Sequence, residues 1–239
     1  VRGSLLGRAY RNLVIRTQAR LRMDDESNMH LALRIYDLIQ FEGLGYGRIY
    51  ADLVKKVRSL DRPEFRFRAT QAVIRYLHKV MAIKDEVFVS HMLTSVVKRK
   101  RDHLRYRIDP ARGDRVIYRH INRPEFTVFG FRIRFHLVTR DWQLQVMKRM
   151  KFLRRLLPGW HAQEKAFRDW YMELVERFHY TDAGSYDAYV RALEVPEEVR
   201  GYREIRYPKM EAARQKAEAI LKGEVPHGTR NEAAVHLAP

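Results

Sequence analysis

Apolar residues recur every three to four positions along most of the chain, the period of a helix with one face turned to a core. Between Ser4 and Met23, Leu5, Leu6, Leu13, Val14 and Leu21 keep that spacing, with Arg8, Arg11, Arg16, Arg20 and Arg22 between them. The pattern predicts a basic helix, either packed in the ordinary way or ordered only on a partner. Asp24, Asp25 and Ser27 offer caps for the next element, whose stripe of Leu31, Ile35, Leu38, Ile39, Tyr46, Ile49, Leu53 and Val57 runs to Ser59. Gly43, Gly45 and Gly47 interrupt that stripe. A glycine costs about 1 kcal/mol relative to Ala inside a helix, so these residues mark either a break between two helices or a close helix approach. After Asp61-Arg62-Pro63, the series Phe65, Val73, Ile74, Leu77, Met81 and Val87 up to Leu93 predicts one or two buried helices. Lys84 and Glu86 sit beside core positions there, two residues apart, where helical neighbours diverge. At least one of them is expected to pair elsewhere.

The pattern then changes. Residues 98–107 are densely basic (Lys98, Arg99, Lys100, Arg101, Arg105, Arg107) and lead into Asp109-Pro110, which predicts a loop with a large positive field. Residues 115–121 and 126–137 are rich in β-branched and aromatic types. From Gly130 the alternation is strict, with Phe131, Ile133, Phe135 and Leu137 on one face and Arg132, Arg134 and His136 on the other. Joined through residues 122–125, the two runs predict an antiparallel hairpin over about residues 115–137. Thr139 with Asp141 then opens a helix carrying Trp142, Val146, Met150, Leu153 and Leu157, ending at Pro158-Gly159. A further stripe holds Phe167, Trp170, Tyr171, Leu174 and Val175, and Thr181-Asp182 caps a short helix through Tyr189 and Leu193. Pro196-Glu197-Glu198 reads as another helix start, and Pro208 opens a last helix over residues 209–221 that Gly223 closes. The expected architecture is mainly α: a basic N-terminal helix or arm (1–23), a bundle-like helical domain with one inserted β-hairpin (24–222), and a mobile polar tail (223–239).

Composition narrows the functions open to such a domain. Of 239 residues, 47 are Lys or Arg and 29 Asp or Glu, a net charge of +18, while 46% hydrophobic residues supply a real core. The absence of cysteine removes disulfides, thiolate nucleophiles and zinc–thiolate or iron–sulfur ligation by this chain alone. The ten histidines form no His-Glu-x-x-His spacing. No Walker lysine, dinucleotide fingerprint or Gly-x-Ser-x-Gly elbow is present, and Gly43 to Gly47 has neither a preceding strand nor a following Gly-Lys-Ser/Thr. No apolar run approaches the ~20 residues of a membrane span. A cytoplasmic chain is expected, trimmed or cut from a longer one, although the Arg-rich, acid-free start also suits a targeting segment. The most site-like residues are Arg132, Arg134 and His136, three donors suited to a phosphate, a carboxylate or an acidic partner. The alternative is a polar sheet face turned to water.

Several segments in order carry a family likeness: Leu38-Ile39-Gln40-Phe41-Glu42 on to Tyr50, Lys79 to Glu86, Arg134-Phe135-His136-Leu137, and Pro196-Glu197-Glu198-Val199-Arg200-Gly201-Tyr202 before the Ala-rich 209–221 stretch. Over about Leu31 to Lys222 the chain resembles the helical C-terminal region of indolepyruvate ferredoxin oxidoreductase subunits. By that resemblance, the parent assembly oxidatively decarboxylates an aryl 2-oxoacid with thiamine diphosphate, coenzyme A and 4Fe–4S clusters, and passes electrons to ferredoxin. The catalytic γ-type domain that usually precedes this region is not in the sequence, and the segment after Leu137 looks shortened. No catalytic residue belongs to the family's helical region, so none carries over.

The resemblance therefore implies an accessory subunit or fragment. Lys84, Glu86, Arg132, Arg134, His136 and Arg200 would serve as interface or anion contacts, and Lys98, Arg99, Lys100 and Arg101 as part of a docking surface for an acidic subunit or ferredoxin. Cofactors would belong to the partner subunits. The alternative in a different class is a basic nucleic-acid-binding protein, whose affinity would fall steeply with salt.

Overall fold

Local capping sets where each helix begins. The computed structural model describes residues 4–122, 125–128, 131–134, 137–157 and 159–224; the side chains of residues 119–137 and of Arg203 lie outside that description. Helix α1 (Leu5–Leu21) starts at Ser4, whose hydroxyl accepts from the Gly7 N–H at 3.0 Å. It buries Val14, Thr17 and Leu21 on the body of the molecule, tied further by the Tyr10 hydroxyl donating to the Ala32 carbonyl at 3.1 Å. Asp24 caps α2 (Asp25–Phe41) through the Ser27 N–H at 2.8 Å. The glycines that interrupt the long stripe do both things expected of them. Gly43, at φ +118°, ends α2 and starts α3 (Leu44–Leu60), while Gly47 lets the two helices approach so closely that a Cβ would lie 2.8 Å from Ile39 Cγ1.

Helix α4 (Arg68–Met81) has no side-chain cap of its own, because Phe67 stands at the cap position. Its first amides are met from elsewhere. The buried Asp61 carboxylate accepts from Thr70 N–H at 2.9 Å, and the Ala69 N–H reaches the Tyr186 hydroxyl at 3.0 Å, which in turn donates to Asp61 at 2.9 Å. Helix α4 packs on α2, α3, α9 (Ala162–Glu176) and α10 (Ala183–Glu194), and α10 on α11 (Arg206–Lys222). The main core joins Leu31, Ile35, Tyr50, Val73, Leu77, Tyr171, Tyr186 and Leu193 across these elements. Asp182 caps α10 through Ser185, as the sequence indicates, and Gly223 at φ +76° closes α11.

Residues 84–161 are built differently. They hold α5 (Glu86–Leu93), α6 (Val96–Arg105), strands β1 (Arg119–Asn122), β2 (Glu125–Val128), β3 (Phe131–Arg134) and β4 (Leu137–Arg140), then α7 (Asp141–Met147) and α8 (Leu153–Leu156). None of their described residues belongs to the main core cluster. Strand β1 pairs antiparallel with β4, and β2 with β3, in a single continuous register: Arg119 faces Arg140, Asn122 faces Leu137, Glu125 faces Arg134 and Val128 faces Phe131.

Four sequence expectations are corrected here. The paired residues run from Arg119 to Arg140, and residues 122–125 do not join paired strands, since β1 pairs with β4 and β2 with β3: this pairing outweighs the turn signal of Asn122 and Pro124. The basic run is a helix, α6, since Ser95 caps it through the Lys98 N–H at 3.2 Å and Lys98 pairs with Asp102 one turn on. The single helix expected after Thr139 is two short pieces in which Leu144 is buried, while Trp142, Val146 and Leu157 are exposed. Pro196-Glu197-Glu198 makes only a 3-10 turn (Val195–Glu198) that follows directly on α10. The tail expected to be mobile lies, from residue 225 onward, outside the described residues.

Candidate functional site

The central segment concentrates charge. Residues 84–161 carry nineteen Lys and Arg against seven Asp and Glu, +12 of the chain's +18. Their apolar residues are unusually exposed as well. Val97 is 75% exposed, Leu104 81%, Ile117 79% and Trp142 62%, and no residue of α6 is buried. Singly exposed apolar side chains are ordinary, but Ile117 and Trp142 share one groove with Arg99, His103 and Arg140, and apolar residues set among cations in this way have the composition of an interaction surface.

The groove between α6 and the start of α7 gives this surface a shape. It encloses about 560 Å³ and is lined by Arg99, His103, Ile117, Tyr118, Arg140 and Trp142. Its walls are held by internal ion pairs. Lys98 bonds Asp102, Arg99 bonds Asp141, and Tyr118 donates to Asp102 at 3.2 Å beneath the Lys98 ammonium, 4.8 Å from the ring centroid. The Lys98 hydrogen bond holds the Asp102 carboxyl below the usual carboxylate range, so this anchor stays charged at neutral pH. Lys100, Arg101 and Arg105 stand exposed beside it.

A second set of charges holds this segment together and joins it to the body. Arg154 is buried and forks onto Asp85, with Nε at 2.5 Å from Oδ2 and Nη2 at 2.9 Å from Oδ1. Its Nη1 donates to the Phe41 carbonyl and lies 3.3 Å from Glu42, and its plane covers the Phe41 ring at 4.0 Å. Asp85 also caps α5 through the Phe88 N–H at 2.7 Å. Next to it the His161 ring bridges Glu86 and Glu164, 3.2 Å from each. Burial alone pushes the imidazole down, but hydrogen bonds and charge from the two carboxylates outweigh it and raise His161 to about 9. Glu164 is likewise pushed up by burial and brought below its ordinary value by His161. His161 is therefore an imidazolium at neutral pH.

The candidates separate into three groups. Lys84 and Arg200 share one cavity with Lys79, Glu164, Tyr202 and Arg206, and Glu86 stands behind it on His161. Lys98, Arg99, Lys100 and Arg101 lie together on α6, although two of the four are spent on internal pairs. Arg132 and Arg134 fall on β3, opposite Thr127 and Glu125 in register; their side chains, and His136 altogether, lie outside the described residues. Sequence reasoning missed Asp85, Arg154, His161 and Glu164. The three-residue step from His161 to Glu164, and Asp85 standing three before Phe88 as a cap, were the available signals. Nothing distinguishes Arg154 from Arg155 beside it in the sequence.

Among the described residues no group of three or more His, Asp or Glu is placed to hold a metal ion, and no helix is long and apolar enough to cross a membrane. A family model described as a family of unknown function, DUF6537, matches residues 28–219. No match was found among curated proteins or solved structures.

Proposed function

We propose that this chain, which belongs to the DUF6537 family, is a non-catalytic docking module that seats an acidic protein partner on the α6–α7 groove, within a thiamine-dependent aryl-2-oxoacid oxidoreductase assembly. One observation carries the docking role. The +12 segment exposes Val97, Leu104, Ile117 and Trp142 among its cations, while the main core lies entirely in the rest of the described chain. A field of that sign steers an acidic protein to the groove, and the apolar residues supply the area that holds it. The identity of the assembly rests on the ordered resemblance of the Lys79–Glu86, Arg134–Leu137 and Pro196–Tyr202 segments. In that setting thiamine diphosphate, coenzyme A and the iron–sulfur clusters are held by partner subunits, and ferredoxin is an acidic partner of fitting charge.

The test is co-purification of the full chain from its native host at physiological salt with nuclease present, the partners being identified by mass spectrometry. Recovery of thiamine-enzyme and iron–sulfur subunits, lost in a Lys100→Glu/Arg101→Glu variant of unchanged melting temperature, is the expected result. Recovery of no oxidoreductase subunit refutes the assembly, and binding that vanishes once nucleic acid is digested transfers the surface to the nucleic-acid reading.

A further inference from the structure

Away from the α6 groove, the turn between α4 and α5, the start of α9 and the loop before α11 enclose a cavity of about 250 Å³. Four of its lining residues are cations, Lys79, Lys84, Arg200 and Arg206, and one is a carboxylate, Glu164. Glu164 offsets only part of that charge: one oxygen is held at 3.2 Å by the His161 imidazolium, and the other is buried without a hydrogen-bond partner. Behind the wall a single carboxylate, Glu197, is shared by three cations: Arg75 at 3.2 Å, Lys79 at 3.8 Å and Arg200 at 2.5 Å. Burial lowers the Lys79 ammonium, and the nearby charges of Arg200, Arg206 and Arg75 push it the same way against Glu197. The cluster is short of negative charge.

Two of the lining cations keep donors without an acceptor. The Nε–H of Arg206 is buried and has no hydrogen-bond partner, although a buried donor left unmet costs about 1–3 kcal/mol. Lys84 is exposed at the rim and makes no ion pair among the described residues. The loop is shaped for this arrangement. Gly201 takes φ +108°, where a Cβ would meet Ile205 Cγ2 at 2.8 Å, so only glycine allows the chain to fold back and bring Arg200 and Tyr202 to the same mouth. Ala82, Val199 and Tyr202 add an apolar wall.

We propose that this cavity binds a phosphoryl group, free or carried on a small organic phosphate. A phosphoryl dianion brings two negative charges and at least three acceptor oxygens to a cavity lined by four cations, where a carboxylate brings one charge. The volume exceeds that of the oxyanion alone, and the apolar wall suits the carbon part of an ester. The inference is independent of the docking surface, since no residue of α6 takes part.

Calorimetric titration of the full chain at physiological salt with inorganic phosphate, with glycerol 3-phosphate, and with glycerol as the neutral control tests it. Saturable one-to-one binding of a phosphate probe is expected, weakened about tenfold or more by Lys84→Gln and by Arg206→Gln, and unchanged by Lys56→Gln, an equal loss of charge on an exposed face of α3. Tighter binding of the ester assigns the site to organic phosphates, and equal binding assigns it to the free anion. Lys84 has no ion pair to lose, so its variant keeps the test interpretable if Arg206→Gln unfolds. Absence of saturable binding by either probe, or the same loss in Lys56→Gln as in Lys84→Gln, overturns the proposal.

Discussion

Replacing Arg154 by Ala removes the central pin between residues 84–161 and the body. Its side chain is 7% exposed and that of Asp85 3%, and the guanidinium holds Asp85 through two hydrogen bonds, at 2.5 and 2.9 Å, while also donating to the Phe41 carbonyl. Truncation leaves a buried carboxylate with only its α5 cap contact and a buried carbonyl without its donor. Breaking one side of a buried pair costs about 3–5 kcal/mol, a large share of the roughly 5–15 kcal/mol that holds a domain folded. For a chain of this size that loss lowers the melting temperature by about 6–20 °C. Urea unfolding followed by circular dichroism measures the loss, and hydrogen exchange locates it, with α5 and α8 losing protection before α4. Replacing both partners, as Arg154→Met with Asp85→Asn, restores part of the stability because no charge is stranded. An Arg154→Ala variant within about 0.5 kcal/mol of the parent, the range of an ordinary surface change, refutes the reasoning.

Three further outcomes are expected. The His161 imidazole is raised from 6.5 to about 9 by Glu86 and Glu164, so the stability it contributes, about 3 kcal/mol, is fully present below pH 6.5 and lost as pH rises through about 9; His161→Gln flattens the stability profile across that window. Gly47→Ala drives a Cβ to 2.8 Å from Ile39 Cγ1 and destabilises by about 1–3 kcal/mol, whereas Gly45→Ala meets nothing within 4 Å and stabilises by about 0.4–1 kcal/mol; chemical denaturation of the two distinguishes packing from helix propensity. Tyr186→Phe leaves the Ala69 N–H without an acceptor and takes one donor from Asp61, at a cost of about 1–3 kcal/mol; fraying at the start of α4 is read by hydrogen exchange at Ala69 and Thr70.

The sequence was most legible where one helix face meets one core. The stripes of α2, α9 and α10 are buried as their spacing indicates, and that of α3 apart from the exposed Ile49, while Asp24, Asp182, Gly43 and Gly223 act where their chemistry places them. It was least legible in residues 84–161, where burial no longer follows period. Lys and Arg are good helix formers, so a basic run capped by Ser95 was misread as a loop when charge density was given more weight than propensity. The α7 stripe failed because Leu144, not Trp142, meets the neighbouring elements. Of the site, Lys84 and Glu86 are legible as charges standing beside core positions, and Arg200 only through the family resemblance. His161 lies 75 residues from Glu86, and Arg154 lies 69 from Asp85 and 112 from Glu42, separations that no local period encodes, apart from the short His161–Glu164 step.

Burial and charge are segregated in this molecule, and the segregation has a mechanical consequence. The main core draws on residues 14–81 and 167–220, while residues 84–161 contribute Ile83's neighbours Val87 and Phe88, with Leu144, as their described buried apolar side chains. A segment of net charge +12 with so small a core repels itself and gains little from apolar burial. Its position on the body is fixed instead by three ties: Phe88 edge-on to Phe41 at 5.3 Å, Arg154 on the Phe41 carbonyl and Glu42, and His161 on Glu164. Two of the three are ionic, with Glu42 and Glu164 as acceptors, and Glu164 also lines the cationic cavity. An acidic partner that covers α6 neutralises the self-repulsion these ties oppose, so binding should raise hydrogen-exchange protection in α5 and α8, remote from the groove, as well as in α6 itself.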